Sequence, residues 1–228
     1  RLHDFVTGSN SVFQNPNVKF ISINVNSRDA YKLGALPIMA DAKLSLIALI
    51  EEGRRSKVLP NTKWTDRANT ERLAWEKVKE DEVFIQHSNE KMSQGQLIGI
   101  INSEMKKGDT LVAAAGTIPA DLTKLFDVKG GKNIHIEFGN SCMGYDIPAA
   151  IGIRLTGTDN EVYVLMGDGN YQMHPMELVT AMQEQTKITI ILNVNYGYQS
   201  IHGHQKALVG HSLGNEFKVR DPSSKLLD

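Results

Sequence analysis

Two polar side chains lie just past the ends of two apolar runs in the last third of the chain. Asp168 follows the run Val162 to Met166, with only Gly167 between them, and Asn195 follows the run Ile188 to Leu192. A carboxylate oxygen and a neutral amide oxygen are hard ligands, which suit a magnesium or calcium ion. The pair therefore predicts a metal site, provided that the fold brings the two side chains together.

A βαβ unit is the arrangement that would do so. Both apolar runs have the composition of buried strands, and the GDG turn ends the first of them. Pro175 suits the first turn of a helix, where its missing N–H costs nothing. That helix would have an apolar face formed by Leu178, Val179 and Met182. Parallel strands of such a unit end at one edge of the sheet, where α/β folds bind ligands and a helix N-terminus favours phosphate.

The domain that contains this unit is predicted to begin near Ser93. Ser93 and Gln96 match a capping box ahead of a helix with an apolar face. Three more elements are predicted after it: a strand of small residues from Thr110 to Ala114, a helix from Ala120 to Phe126 and an alternating strand from Ile134 to Phe138. Together they predict an α/β fold with a parallel sheet flanked by helices.

The first part of the chain has a different character. Val18 to Val25 alternates as a strand does, and Asp41 can cap a helix that runs to about Glu51. The charged stretch Glu52 to Asp66 is interpreted as a linker, and a helix is predicted over Thr70 to Val83. We therefore divide the chain into residues 1–52, a linker with its helix over 53–92, and a domain over 93–228.

Composition and charge argue against several classes of partner. The formal net charge is −1 over 228 residues, which gives no reason to expect nucleic acid or an anionic membrane surface. No apolar run approaches a membrane span, and no signal peptide is visible. Cys142 is the one cysteine, so a reducing compartment, the cytoplasm, is expected. Because the chain begins at Arg1 and ends within a polar stretch, we expect a fragment of a longer protein.

The part of the chain that contains the GDG turn resembles the cofactor motif of thiamin-diphosphate enzymes. The motif consists of a GDG turn, a helix and an apolar strand, followed by a pair of residues of which the second is Asn. In this family the Asp and the second Asn hold Mg²⁺, and the metal holds the diphosphate. The resemblance implies that Asp168 and Asn195 are metal ligands and that the backbone carbonyl of Gly197 is a third. Val194 replaces the first Asn of the usual pair, which is not a ligand, and Gln199 stands where relatives often have Gly.

The resemblance also assigns cofactor contacts in three loops. Gly116 and Thr117 repeat the order of strand, glycine and helix start, which favours a second diphosphate contact over an ordinary turn. In the segment SCMGYDIPAAIG, Met143 would prop the cofactor in its bent shape, and the backbone carbonyl of Ser141 would accept from the aminopyrimidine. The GDG turn and the residue after it complete the set: Gly167, Asp168, Gly169 and Asn170.

The segment after the metal-binding Asn lines the substrate pocket in this family. The candidate substrate contacts are therefore Ser200, Ile201, His202 and His204. On a strand, His202 and His204 would place both rings on one face, but a zinc site needs three or four such ligands, so substrate contact is favoured over a metal. His174 stays open between a substrate contact and a helix cap.

Segments such as DAYKLGALP and SCMGY resemble the family members that open a polyhydroxylated cyclic diketone in inositol breakdown. This resemblance implies such a diketone as substrate, thiamin diphosphate and Mg²⁺ as cofactors, and a homo-oligomer whose active site is shared between subunits. It also implies that residues 1–52 are the end of a Rossmann-like middle domain. Members of the family activate the cofactor with a Glu from another domain. Because Glu137 and Glu177 lie in the wrong elements, no catalytic residue is assigned and this chain alone is expected not to turn over.

Two alternative functions stay open. An acetolactate-synthase-like carboligase or decarboxylase would use the same cofactor and would release carbon dioxide from pyruvate. A non-catalytic nucleotide-binding module would bind its ligand through helix N-termini, so that Asp168→Ala would leave the affinity unchanged.

Overall fold

The computed structural model describes residues 2, 4–85, 91–137 and 139–218. The chain falls into two compact units, Arg1–Glu71 and Arg72–Asp228. The predicted domain limits at residues 52 and 92 stay predictions. In the described part of the chain, no helix combines the length and the apolar character that a membrane crossing needs.

The first unit contains a pair of short parallel strands, β1 Ile21–Ile23 and β2 Leu36–Ile38. Its helices are α1 Asp4–Thr7, α2 Ser27–Ala30, a 3₁₀ turn Lys32–Gly34, α3 Ala42–Arg55 and the beginning of α4 Thr62–Val78. The strand predicted from Val18 to Val25 is thus limited to its middle. The predicted cap of α3 is confirmed, because Asp41 Oδ1 accepts a hydrogen bond from the backbone N–H of Leu44 at 3.0 Å.

The stretch Glu52 to Asp66, interpreted as a linker, is helical at both ends. Helix α3 continues to Arg55 and α4 begins at Thr62, so only residues 56–61 lie between the two helices. The interpretation as a linker is wrong at both ends of this stretch, because charged residues are as common on exposed helices as in linkers. Glu52 and Arg55 form an ion pair one turn apart, which supports the helix. A π-helical turn, Lys79–Val83, follows α4.

The second unit is built on one parallel sheet. Its strands are β3 Thr110–Ala113, β4 Asn133–Ile136, β5 Val162–Gly167 and β6 Thr189–Asn193. Its helices are α5 Gln94–Glu104, α6 Thr117–Leu125, α7 Asp146–Leu155, α8 Asp168–Tyr171, α9 Glu177–Gln183 and α10 Gln199–Val209. The strand order is β4-β3-β5-β6, and Leu165 of β5 lies opposite Ile191 of β6.

Helices cover both faces of this sheet. On one face Leu111 and Leu165 pack with α5 and α6, and on the other Val112 and Val164 pack with α7 and α9. Because successive strand residues point to opposite faces, a sheet covered on both sides needs strands that are apolar throughout. The prediction of an α/β fold with a parallel sheet flanked by helices is confirmed.

The starts of α5 and α6 and the end of β4 can be compared with the limits that the sequence predicts. The capping box of α5 is confirmed, because Ser93 N–H donates to Gln96 Oε1 at 2.8 Å and Gln96 N–H donates to Ser93 Oγ at 3.2 Å. Helix α6 begins at Thr117, three residues before the predicted start at Ala120, because Gly116 turns the chain directly into it. Strand β4 ends at Ile136. Phe138, the predicted last residue of that strand, lies outside the described residues.

Helix α9 begins later than predicted and buries a different face. Pro175 lies in a tight turn before the helix, where its carbonyl accepts from Leu178 N–H at 3.2 Å. The side chains that pack on the sheet are Leu178 and Ala181. Val179 and Met182, which were predicted on the apolar face, are 50% and 78% exposed. The crossover between β5 and β6 is therefore shared between the short α8 and the later α9.

Candidate functional site

The predicted metal-ligand residues lie at the carboxyl ends of neighbouring strands. Strand β5 ends at Gly167, and the buried Asp168 begins α8 directly after it. Gly167 pairs with Asn193 at the end of β6, so the chain that continues to Asn195 leaves the sheet beside Asp168. Asp168 Oδ2 accepts a hydrogen bond from the backbone N–H of Tyr196 at 2.7 Å. This bond ties the turn after β6 to the turn after β5.

The Asn195 side chain joins Asp168 to Gly197. One terminal atom of its amide lies 3.1 Å from Asp168 Oδ1 and 2.9 Å from the carbonyl oxygen of Gly197. With nitrogen in that place the amide donates to both oxygens, and with the amide turned over its own oxygen faces them. In octahedral coordination with Mg–O distances of about 2.1 Å, adjacent oxygens lie about 3.0 Å apart. The fold thus brings the predicted ligands together at a spacing that fits one small cation.

Gly197 is held in place by a segment further along the chain. Its φ is 142°, and an added Cβ would lie 2.0 Å from the carbonyl oxygen of Asn215. The backbone N–H of Tyr198 donates to that same oxygen at 2.8 Å, and Phe217 N–H donates to the carbonyl of Tyr196 at 2.9 Å. Only glycine fits so close to another backbone, so the position of this carbonyl depends on glycine.

The turn between β3 and α6 lies at the same edge of the sheet. Gly116 has φ 87° and ψ −151°, and α6 begins at the next residue. An added Cβ on Gly116 would meet no atom within 4 Å, so the backbone there is open to a ligand. The Thr117 hydroxyl donates to Gln94 Oε1 at 3.1 Å, and the same oxygen accepts from Asn193 Nδ2 at 3.0 Å. Because the hydroxyl is engaged, the N-terminus of α6 is what this turn offers to an anion.

The loop between β4 and α7 carries the predicted Ser141 and Met143. Ser141 has a left-handed φ of 52°. The Met143 side chain is partly exposed, and its Cε lies 3.7 Å from the position that a Cβ on Gly169 would take. Gly144 lies against His174, where an added Cβ would be 2.5 Å from the ring. The structure therefore brings Met143 next to the GDG turn and packs His174 beneath the same loop.

Asn170 and Asp146 form a buried pair that the sequence did not indicate. Asn170 Nδ2 donates to the carbonyl of Ala115 at 3.2 Å and to Asp146 Oδ2 at 3.3 Å. Burial raises the pKa of Asp146 to about 6, although the backbone N–H groups of Asp146 and Ala114 oppose part of the rise. The side-chain amide nitrogen of Asn170 is thus engaged within the protein. The predicted contact of Asn170 with the cofactor would then be made by its side-chain oxygen or its backbone.

His202 and His204 lie on α10 and not on a strand. Two positions along a helix are about 200° apart, so the rings do not share one face as the strand interpretation required. His202 is partly buried with Nδ1 2.8 Å from Ser212 Oγ, whereas His204 is exposed. Ser200 and Ile201 belong to the first turn of the same helix. Within the described ranges, no three side chains of His, Cys, Asp or Glu are grouped to hold a metal ion.

Residues 114–224 match the sequence model of a family described as thiamine pyrophosphate enzyme, C-terminal TPP binding domain. The matched range contains Asp168, Asn195 and Gly197, and all the turns that meet at the sheet edge. These residues form a thiamine pyrophosphate enzyme domain. Thiamine pyrophosphate is another name for thiamin diphosphate.

Several curated relatives of this chain share one name. Proteins of Bacillus anthracis and Bacillus cereus named 3D-(3,5/4)-trihydroxycyclohexane-1,2-dione hydrolase are 34% identical to it over 251 aligned residues. A protein of Bacillus thuringiensis with the same name is 33% identical over 249 residues. Each alignment covers 100% of this chain and 39% of the relative. The chain therefore spans about two-fifths of the length of these relatives.

Several residues that shape this candidate site were not predicted from the sequence. Gln94 links α5 to Thr117 at the start of α6 and to Asn193 at the end of β6. Asn193 is a polar residue at the last position of an apolar strand, and Asp146 is an acid at the first position of a helix that follows a glycine-rich loop. Those two placements are signals that could have found them, whereas the reach of Gln94 requires the fold.

Proposed function

We propose that this chain is the cofactor-binding part of a thiamin-diphosphate- and Mg²⁺-dependent hydrolase that acts in inositol breakdown. It would open the ring of trihydroxycyclohexane-1,2-dione to 5-deoxyglucuronic acid. The observation that carries the proposal is the meeting of Asp168, the Asn195 amide and the Gly197 carbonyl at one sheet edge. The reaction class is taken from the name of the relatives. Cys142 as the one cysteine supports a reducing, cytoplasmic location.

Mg²⁺ is the proposed metal because the donors are all oxygen atoms. A carboxylate, a side-chain amide and a backbone carbonyl suit a hard cation, whereas zinc favours nitrogen and sulfur. Binding would turn the Asn195 amide over, so that its oxygen replaces the nitrogen between Asp168 Oδ1 and Gly197 O. Asp168 would keep its bond to Tyr196 N–H through Oδ2 and present Oδ1 to the metal.

Thiamin diphosphate is proposed to lie along the same edge. Its diphosphate would face the backbone of Gly116 and Thr117 and the turn Gly167–Asn170, where helix N-termini offer N–H groups. The Ser141 carbonyl and the Met143 side chain would hold its aminopyrimidine half. When bound, the cofactor supplies an electron sink for the carbanion that cleavage of a carbon–carbon bond leaves behind.

The proposed substrate is a polyhydroxylated cyclic diketone. Cleaving the bond between its adjacent carbonyl carbons with water gives a carboxylic acid and an aldehyde, with no net oxidation. Ser200, Ile201, His202 and His204 are proposed to contact it, because α10 follows the metal-binding turn directly. His202 is the better placed of the two histidines, since it is partly buried and its Nδ1 is held by Ser212 Oγ at 2.8 Å.

The acid that activates the cofactor is proposed to come from outside these residues, through a homo-oligomer whose subunits share the site. The Glu137 carboxylate accepts backbone hydrogen bonds from Asn140 and Cys142. The Glu177 carboxylate accepts from the Thr180 hydroxyl at 2.9 Å. Because both carboxylates serve local structure, neither is a candidate for this role. We therefore expect these 228 residues alone to bind Mg²⁺ and the cofactor weakly and without turnover.

Calorimetric titration of the full-length protein with thiamin diphosphate and Mg²⁺ tests the metal site. Asp168→Ala should weaken cofactor binding at least about a hundredfold, because it removes the one charged ligand of the metal that holds the diphosphate. Asp159→Ala, at an exposed position, is the matched control and should bind as the wild type does. An affinity unchanged in Asp168→Ala would favour the nucleotide-binding module instead.

A turnover assay of the full-length protein tests the substrate. Acid released from trihydroxycyclohexane-1,2-dione, with no carbon dioxide from pyruvate, is the result we expect. Carbon dioxide from pyruvate without acid from the dione would keep the cofactor site but replace the proposed reaction by that of a carboligase or decarboxylase. Turnover by the 228-residue chain alone, with its purity checked by mass spectrometry, would contradict an activating acid supplied from elsewhere.

A further inference from the structure

Glu137 occupies a fixed position at the end of β4. Its backbone N–H donates to the carbonyl of Ala113 at 3.2 Å, which continues the pairing of β4 with β3 by one residue. The side chain turns toward the loop that follows. Oε1 accepts a hydrogen bond from the backbone N–H of Asn140 at 2.8 Å, and Oε2 accepts one from Cys142 N–H at 2.9 Å. Both carboxylate oxygens are thus used to fold the loop.

The loop closes tightly around this carboxylate. A Cβ added to Gly139 would lie 2.9 Å from Glu137 Oε1, so the backbone runs close beside the charged group. The hydrogen bond from Cys142 lowers the pKa of Glu137, and the N–H groups of Asn140, Gly139 and Ser141 lower it further. A group of backbone N–H donors around one anion is a stable local structure, since each charge-assisted bond is about twice as strong as a neutral one.

The residue enclosed by these bonds has a strained backbone. Ser141 has φ 52°, a left-handed conformation that is unfavourable for a non-glycine residue. Its neighbours on both sides, Asn140 and Cys142, are the residues whose N–H groups Glu137 holds. The carboxylate therefore offsets the strain at Ser141 and fixes the direction in which its carbonyl points. Met143 follows directly and lies next to Gly169.

We propose that Glu137 is a positioning residue that shapes the cofactor loop before the cofactor binds. The inference rests on the proposed function, because it assigns Glu137 to the loop that would receive the aminopyrimidine half of thiamin diphosphate. Glu137 touches neither the reacting atoms nor the metal ligands. It acts through the backbone of residues 139–142, which orients the carbonyl of Ser141 and the side chain of Met143.

Hydrogen exchange of the cofactor-free, full-length protein tests the shaping of the loop. In Glu137→Gln, which removes the charge and keeps the length, the amide hydrogens of residues 139–142 should exchange at least about tenfold faster. Glu137→Asp keeps the charge and should recover part of the protection. Asp127→Asn is the matched control, because Asp127 accepts a backbone N–H from Lys129 at 2.8 Å in a different turn. It should leave the loop protected, and circular dichroism melting shows that each variant folds.

Calorimetric binding of thiamin diphosphate with Mg²⁺ tests the consequence. Glu137→Gln should weaken cofactor binding about tenfold or more, while binding of Mg²⁺ without cofactor stays as in the wild type. Unchanged exchange in the loop, or faster exchange with unchanged cofactor affinity, would overturn the inference. A wild-type protein that binds no cofactor would overturn the proposed function and the inference with it. Equal weakening in the Asp127→Asn control would show a general loss of stability and would also count against Glu137.

Discussion

Replacing Asp146 by asparagine is expected to change how the stability of the protein depends on pH. Asp146 is wholly buried at the start of α7, and its Oδ2 accepts a hydrogen bond from Asn170 Nδ2 at 3.3 Å. Burial raises the pKa of this carboxyl from 3.8 to about 6. The neutral carboxyl is therefore favoured in the folded protein, and its ionisation lowers the free energy of unfolding.

The size and the pH range of this effect follow from the two pKa values. Well below pH 3.8 the carboxyl is neutral in both the folded and the unfolded state, so it costs nothing. As the pH rises from 4 to 6, the unfolded state loses its proton first and the folded state loses stability. Above pH 6 the cost is constant. At about 1.4 kcal/mol per pH unit, a rise from 3.8 to about 6 corresponds to about 3 kcal/mol.

Urea unfolding of the full-length protein between pH 4 and pH 8, followed by circular dichroism without cofactor, measures this difference. The free energy of unfolding of Asp146→Asn minus that of the wild type should rise by about 2.5 kcal/mol between pH 4 and pH 8. A constant shift in the free energy of unfolding that the asparagine amide itself causes does not depend on pH and leaves the rise unchanged. In Asp127→Asn the difference should stay nearly constant over this range, because the Lys129 N–H lowers the pKa of Asp127 below 3.8 and its titration therefore lies below pH 4. A flat difference for Asp146→Asn would refute the reasoning, since the carboxyl would then ionise as freely inside the protein as outside it.

Two further substitutions test other parts of the site. Gly197→Ala should lower the melting temperature and remove metal binding, because its Cβ would lie 2.0 Å from the carbonyl oxygen of Asn215. Gly210→Ala, also at positive φ but with no atom within 4 Å, should cost only about 1 kcal/mol, and equal losses in the two variants would contradict the close approach. In steady-state assays with the dione, His202→Ala should raise KM at least about fivefold, whereas the exposed His204→Ala should change it less than twofold. A larger rise in KM for His204→Ala than for His202→Ala would place the substrate on the other face of α10.

The fold and the approach of Asp168 to Asn195 could be predicted because both depend on short-range patterns. The apolar runs that became β5 and β6 lie one crossover apart, and parallel strands end at one edge, so Asp168 and Asn195 had to approach each other. The capping box of Ser93 and Gln96 is equally local. In each case the sequence spacing alone determines which groups meet.

The errors arose where two local structures fit one pattern. The spacing of His202 and His204 fits one face of a strand, but these residues belong to an eleven-residue helix that Gly210 ends in a left-handed conformation. Val179 and Met182 fit the apolar face of α9 as well as Leu178 does, and only the position of the sheet decides that Ala181 is buried instead. The partners of Asn170 could not be predicted at all, since Ala115 and Asp146 reach it from two other turns.

The sheet edge holds two non-glycine residues in the left-handed conformation, and a carboxylate is bonded beside each. Tyr196 has φ 61°, and its own N–H donates to Asp168 Oδ2, while Ser141 has φ 52° and Glu137 holds the N–H groups on either side of it. Such strain persists only where the surrounding structure determines the conformation. Strain, charge and backbone donors thus coincide in the two turns that would receive the metal and the aminopyrimidine. Because both carboxylates accept hydrogen bonds from backbone N–H groups of this chain, the chain itself can shape the two turns, and binding to a turn shaped in this way costs less conformational entropy than ordering it on contact.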